Sequence, residues 1–280
     1  MSTTTRKPKI ARRVARIAGI LVIVWLLGLA TAWVLQGWLI FPRWLPAPRA
    51  LESAPSDVEV WELPIKGDAP VEAWFMPAVN AQSPAPVVVL THGNAEIIDD
   101  DLFNARAWSH QGLHVLMPEY RGYGRSGGQP GQDVIVSDVC DFIDRLKTRD
   151  DVDSNRIGMI GRSIGCGVAS QVALKHPPAA MVLIVPPARI DSMAWSFGFP
   201  SFLVEHPFRS DLALPLIDAP ILIVPRDRDE IIPESHAGIL HEAAPNSHLF
   251  PVGGTHNTPD VPGIEEQAIV SFVNEHLLNP

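Results

Sequence analysis

Cysteine is nearly missing from this chain: its 280 residues hold two, Cys140 and Cys166. Two cysteines cannot staple a disulfide scaffold, and a chain of this length can build a core without one. Acidic residues are missing from the first 17 positions, which carry Arg6, Lys7, Lys9, Arg12, Arg13 and Arg16. Charge of either sign is missing from residues 18–41. A basic surface is missing from the rest. Residues 42–280 hold sixteen Lys and Arg against all 31 Asp and Glu, a net charge of −15. Such a surface repels nucleic acid and anionic lipid headgroups, so neither a nucleic-acid partner nor peripheral binding to a lipid surface is expected. No internal repeat is visible, and no Lys-Ser/Thr stands where a phosphate-binding loop would need it.

What is present at the N-terminus is an apolar run long enough to matter. Twenty-four helical residues span about 36 Å, enough to cross a bilayer with some tilt. The basic residues ahead of the run keep that end cytoplasmic and send the remainder across. The expectation is a cytoplasmic tail over 1–17, a single-pass anchor over 18–41 and an extracytoplasmic domain. Trp33, Trp38 and Trp44 would sit at the far interface. A cleaved signal peptide is the other reading, since Ala30-Thr31-Ala32 resembles a small-residue cleavage site. Hydrophobicity continues past Ala32 to Phe41, which favours the anchor. Residues 42–56 are Pro-rich and lack periodicity, which predicts a stalk that clears the membrane.

Residues 57–280 read as one α/β domain. Alternation over 58–65 and 71–76 predicts an antiparallel pair of strands. Short apolar runs follow at 87–90, 113–117, 157–160, 180–185, 221–224 and 248–252. Helical stretches are expected at 100–111, 133–148, 164–176, 234–243 and 262–277. Unalternating apolar runs mean strands covered on both faces, hence a mainly parallel sheet flanked by helices. Active sites in such sheets gather at the C-terminal ends of the strands. Residues 188–217 break the rhythm and hold Met193, Trp195, Phe197, Phe199, Phe202, Leu203 and Phe208. They read either as a small lid or as an inserted segment with ordinary packing.

Gly161-Arg162-Ser163-Ile164-Gly165 stands between an apolar run and a helical one. A serine between two glycines at a strand-to-helix switch is the nucleophile-elbow pattern. The turn is sharp enough that a Cβ at either glycine would collide with neighbouring backbone. A serine hydroxyl needs a base, an acid to orient that base, and donors for an oxyanion. His256, in a Gly-rich loop after the last strand, is placed for the base. Residues 225–233 offer three carboxylates after the seventh strand. The turn usual at that place sets its acid four residues before a proline, which favours Asp229, with Asp227 and Glu230 as alternatives. Backbone amides of Ile164 and Asn94 are the expected oxyanion donors. His92 and the glycine-rich loop 118–128 are expected to support the site, and Cys166 to be a small buried residue.

Together these segments resemble the α/β-hydrolase superfamily, whose chain order of nucleophile, acid and base matches Ser163, Asp229, His256. The stretches at 92–94, 119–126, 161–165 and 254–257 are similar to a narrower branch. It holds membrane-associated single-domain serine hydrolases, including depalmitoylating thioesterases and relatives described as serine aminopeptidases. The resemblance covers roughly residues 55–278. It implies the α/β-hydrolase fold and cleavage of an ester or thioester of a small or acylated substrate through an acyl-enzyme, with no metal or organic cofactor. An aminopeptidase or amidase on the same residues, or a noncatalytic membrane-tethered binding protein, are the alternatives. Two positions depart from the branch: Pro225-Arg226 stands where His-Gly is common, and Cys166 where glycine is.

Overall fold

A computed structural model describes residues 7–195 and 198–279. Arg6 of the basic tail and Phe197 of the expected lid lie outside the described residues. The chain opens with helix α1 (Lys7–Ile40). Strands β1 (Glu59–Leu63), β2 (Val71–Met76) and β3 (Ala85–Thr91) follow, then α2 (Leu102–His110) and β4 (His114–Pro118). The central part is α3 (Gln132–Leu146), β5 (Val152–Arg162), α4 (Ile164–Ala173) and β6 (Ala180–Ile184). After the short helices α5 (Ile190–Trp195) and α6 (Ser210–Ala213) come β7 (Ile221–Val224), α7 (Ser235–Ala243), β8 (Ser247–Leu249) and α8 (Ile264–Val273).

All eight strands form one sheet in the order β1-β2-β4-β3-β5-β6-β7-β8. β2 runs antiparallel to both β1 and β4, and every other pairing is parallel. β3, β4, β6 and β7 are buried along their whole length. That is why their sequences read as continuous apolar runs. β1, at the edge, alternates and turns Trp61 inward. The pleat divides β3 between two cores. Val87 and Val89 pack with residues of α3, α4 and α7, while Val88 and Leu90 pack with residues of α2 and α8. The amphipathic face of α3 buries Ile135, Val139, Phe142, Ile143 and Leu146, each worth about 1.5–3 kcal/mol on burial.

Several boundaries differ from expectation, three of them for a visible reason. β5 starts at Val152, because the chain pairs there with Ala85 and crosses an irregularity before Ile157 pairs with Val87. β8 stops at Leu249, before Pro251, which has no N–H for a ladder. α8 stops at Val273 and passes into a wider π-turn over Asn274–Leu278.

The Pro-rich segment 42–56 is not a free stalk. Phe41 is buried against Phe208 and His206, with ring centroids 6.3 and 5.2 Å away. Arg43 donates to Gly128 O at 3.1 Å, Arg49 pairs with Asp100 at 2.7 Å, and Leu51 N–H donates to Asp99 at 2.9 Å. An acidic turn ahead of α2 supplies partners that periodicity could not reveal. α1 itself is long and apolar enough to cross a membrane over Ala11–Ile40.

Candidate active site

β5 delivers the chain into the sheet's C-terminal edge, and α4 carries it away. Between them Ser163 takes φ 54° and ψ −123°, a conformation that costs an L-residue of order 1–3 kcal/mol. The turn closes only because its flanks lack side chains. A Cβ on Gly161 would lie 2.8 Å from the Cys166 backbone, and one on Gly165 would lie 2.0 Å from Thr91 O. Ser163 N–H is tied to Ile184 O at 2.9 Å, which fixes the serine over β6.

Two loops bring partners to the hydroxyl. Ser163 Oγ lies 3.1 Å from His256 Nε2, and His256 Nδ1 lies 2.7 Å from Asp229 Oδ2. The other oxygen of Asp229 accepts the N–H groups of Ile231 and Ile232 at 2.8 and 2.7 Å, so the carboxylate cannot rotate freely. His256 is 4% exposed. Burial lowers its pKa, and the opposing pull of Asp229 does not undo this, so the imidazole is neutral near neutral pH. The alternative acids are placed elsewhere. Asp227 accepts Gly254 N–H at 2.8 Å, and Glu230 accepts His256 N–H at 3.1 Å. All three carboxylates therefore serve the histidine loop, but one meets the ring.

The amides of Asn94 and Ile164, the expected oxyanion donors, have no protein acceptor among the described residues. Ile164 is the first residue of α4, where helical N–H groups are free. Asn94 is braced at both ends: its carbonyl accepts Tyr123 O–H at 2.9 Å, and its side-chain amide reaches Ile40 O at 3.4 Å. His92 supports this loop from beneath. Its Nε2 lies 2.8 Å from Glu119, and Tyr120 donates to His92 O at 2.9 Å. Burial is the largest single influence on the His92 pKa and lowers it, but the charge and hydrogen bond of Glu119, with Gly93 O and Asp101, together outweigh it and the net shift is upward. Cys166 is fully buried under the elbow, where burial pushes its thiol pKa up. It packs and does not face the cleft. Among the described residues no group of three or more His, Cys, Asp or Glu could hold a metal ion.

Sequence reasoning missed three residues here. Arg226, where the branch departs from its usual His-Gly, is 4% exposed. It forms a bidentate pair with Glu265 and donates to the carbonyls of Thr255 and His256 at 3.1 and 2.7 Å. Arg162, the variable residue of the elbow, donates to His256 O at 3.1 Å and pairs with Glu96. Glu96 in turn accepts Gly93 N–H at 2.6 Å, so one chain of contacts joins the histidine loop and the 93–96 loop. Gln36 lies inside the apolar run, 6% exposed. Its side chain donates to Leu203 O at 3.1 Å and accepts Glu205 N–H at 2.9 Å. An amide in an otherwise apolar helix was the available signal. Its partners, 167 and 169 positions away, were not.

Ser163 and His256 open into a cleft of about 1280 Å³. Its other walls come from α1, the oxyanion loop and the 188–217 segment, through Met193 and Phe199.

The chain is similar to several known proteins. The serine aminopeptidase (S33) family matches residues 82–206, a stretch that contains Ser163 and ends before Asp229. An uncharacterized protein of Mycobacterium tuberculosis is 30% identical over 237 residues, covering 82% of this chain and 83% of the relative. The α/β-hydrolase domain-containing protein WAV2 of Arabidopsis thaliana is 27% identical over 193 residues, 62% of each chain. The solved structure of Est1E from Butyrivibrio proteoclasticus with ferulic acid bound superposes with a TM-score of 0.66. It is 19% identical and covers 75% of this chain and 97% of that one, a likeness of fold. Sheet order, elbow and relatives agree, and the chain belongs to the α/β-hydrolase superfamily.

Proposed function

We propose that the protein is a membrane-anchored serine hydrolase that cleaves carboxylic esters or thioesters through an acyl-enzyme. The observation that carries this reading is the hydrogen-bonded line Ser163–His256–Asp229, set beside two amides with no protein acceptor among the described residues. In this reading His256 Nε2 takes the Ser163 proton as Oγ attacks the carbonyl carbon. Asp229 holds the proton on Nδ1 and offsets the charge of the imidazolium. The amides of Asn94 and Ile164 receive the oxyanion. As the tetrahedral intermediate collapses, His256 gives its proton to the departing alcohol or thiol. Water then enters, loses a proton to His256 and releases the acid. α1 crosses the membrane with Arg12, Arg13 and Arg16 on the cytoplasmic side, and the sheet domain lies beyond it.

An aminopeptidase on the same residues is the second reading, suggested by the name of the matching family. A free α-ammonium would need a carboxylate in the cleft. Among the described residues Glu96 is the lone carboxylate lining it, and that group is engaged by Arg162 and Gly93. The ester reading is therefore preferred. Purified full-length protein should hydrolyse p-nitrophenyl butyrate faster than aminoacyl-anilides, and Ser163→Ala should abolish turnover of the ester. Retained turnover in that variant, or a preference for the anilide, would contradict the assignment.

A further inference from the structure

α1 does more than leave the domain. Its face bearing Trp25, Gly28, Leu29, Ala32, Gln36 and Ile40 lines the same cleft that holds Ser163 and His256. These positions recur at helical spacing, so they form one stripe along the rod. From Trp25 to Ile40 the stripe runs about 22 Å. Its middle is Gly28 and Ala32, and a Cβ added at Gly28 would meet nothing within 4 Å. The small residues leave a furrow between helix and domain.

The helix is pinned where the furrow meets the chemistry. Gln36 bonds to the backbone at Leu203 and Glu205, and Ile40 O accepts from the side chain of Asn94 in the oxyanion loop. On the 188–217 segment that Gln36 bonds, Trp195 and Phe202 stay 67% and 85% exposed. Exposed apolar side chains of this size are a mark of a surface that meets a membrane or a partner.

We propose that α1 is the acyl-chain wall of the active site. A long acyl chain, carried by an ester or thioester lodged in the bilayer, lies along the Gly28–Ala32 furrow with its carbonyl at Ser163. The helix thereby sets chain-length preference, with Gly28 and Ala32 as the specificity-determining positions. This rests on the serine-hydrolase reading. It adds that the anchor is part of the binding site and that substrate arrives along the helix from the lipid side. A cleft closed by domain residues alone would give the anchor no say in what is cut.

The test uses full-length protein in detergent micelles. Gly28→Trp and Ala32→Trp fill the furrow, while Val34→Trp, 71% exposed on the opposite face, does not. kcat/KM is measured on p-nitrophenyl butyrate and p-nitrophenyl palmitate, and a fluorophosphonate probe reports whether Ser163 is assembled. The ratio of palmitate to butyrate kcat/KM should fall about tenfold or more in both furrow variants. It should stay at the wild-type value in Val34→Trp. An unchanged ratio in furrow variants that still label at Ser163 overturns the proposal. Should a Trp variant fail to label, Gly28→Leu replaces it under the same criterion. Wild-type protein that labels nowhere and cleaves neither ester would instead sink the serine-hydrolase reading beneath it.

Discussion

Asp227, Asp229 and Glu230 lie within four positions of one another, yet they face different donors. Asp229 alone touches the His256 ring, at 2.7 Å; Asp227 takes a backbone amide of the neighbouring glycine, and Glu230 the backbone amide of His256. Replacing Asp229 by Asn presents an NH2 group to Nδ1 and forces the wrong tautomer. kcat on a short-chain ester should then fall on the order of 10⁴-fold. Asp227→Asn keeps an oxygen for Gly254 N–H and should cost less than about tenfold, since it touches neither the ring nor the hydroxyl. The direction of the His256 shift fixes the pH profile. Its pKa is lowered by burial, so the ring remains a competent base below 6.5, the usual histidine value. The acid limb of kcat/KM should accordingly have its midpoint under 6.5. A limb above that value would mean that Asp229 outweighs burial.

The histidine loop is held by elements whose role the residue pattern concealed. Arg226 follows β7 and Glu265 begins α8, where a carboxylate also suits the helix N-terminus. Their bidentate pair, with Arg226 also bonding the carbonyls of Thr255 and His256, locks strand, helix and loop together. Arg226→Met leaves the Glu265 carboxylate, 10% exposed, without its partner. Removing one member of a buried pair costs about 3–5 kcal/mol, which a urea unfolding midpoint would register. No change in that midpoint would mean the pair contributes nothing net. The element boundaries were legible where burial on both faces writes a continuous apolar run, as in β3, β6 and β7. They blurred where pairing depended on a distant strand, as at the start of β5. The departure at Pro225-Arg226 was visible in the sequence, but its compensation lies 39 positions away at Glu265 and could not be read there.

At the scale of the whole molecule, every group of the candidate site gathers at the C-terminal edge of the parallel strands. Local chemistry made this legible. The elbow needs glycines at fixed offsets and an imidazole must follow a strand, so the candidates Ser163 and His256 could be named from sequence; Asp229 was chosen over Asp227 and Glu230 by the turn usual at that place, and Asn94 and Ile164 stay the proposed oxyanion donors. The docking of α1 and of segment 42–56 could not, because it depends on contacts such as Gln36 with Leu203 and Arg49 with Asp100. Hydropathy reads an apolar helix as something that meets lipid, and says nothing of the face that meets protein. The molecule is thus a sheet domain whose apolar N-terminal helix lines the cleft that holds Ser163. The central claim is that Ser163 is activated by its two partners. Its most direct test is the mass of the intact protein after treatment with a fluorophosphonate. The account predicts one adduct, mapped to Ser163, absent from Ser163→Ala and formed far more slowly in His256→Ala. An adduct that persists in Ser163→Ala, or forms at the wild-type rate without His256, would contradict it.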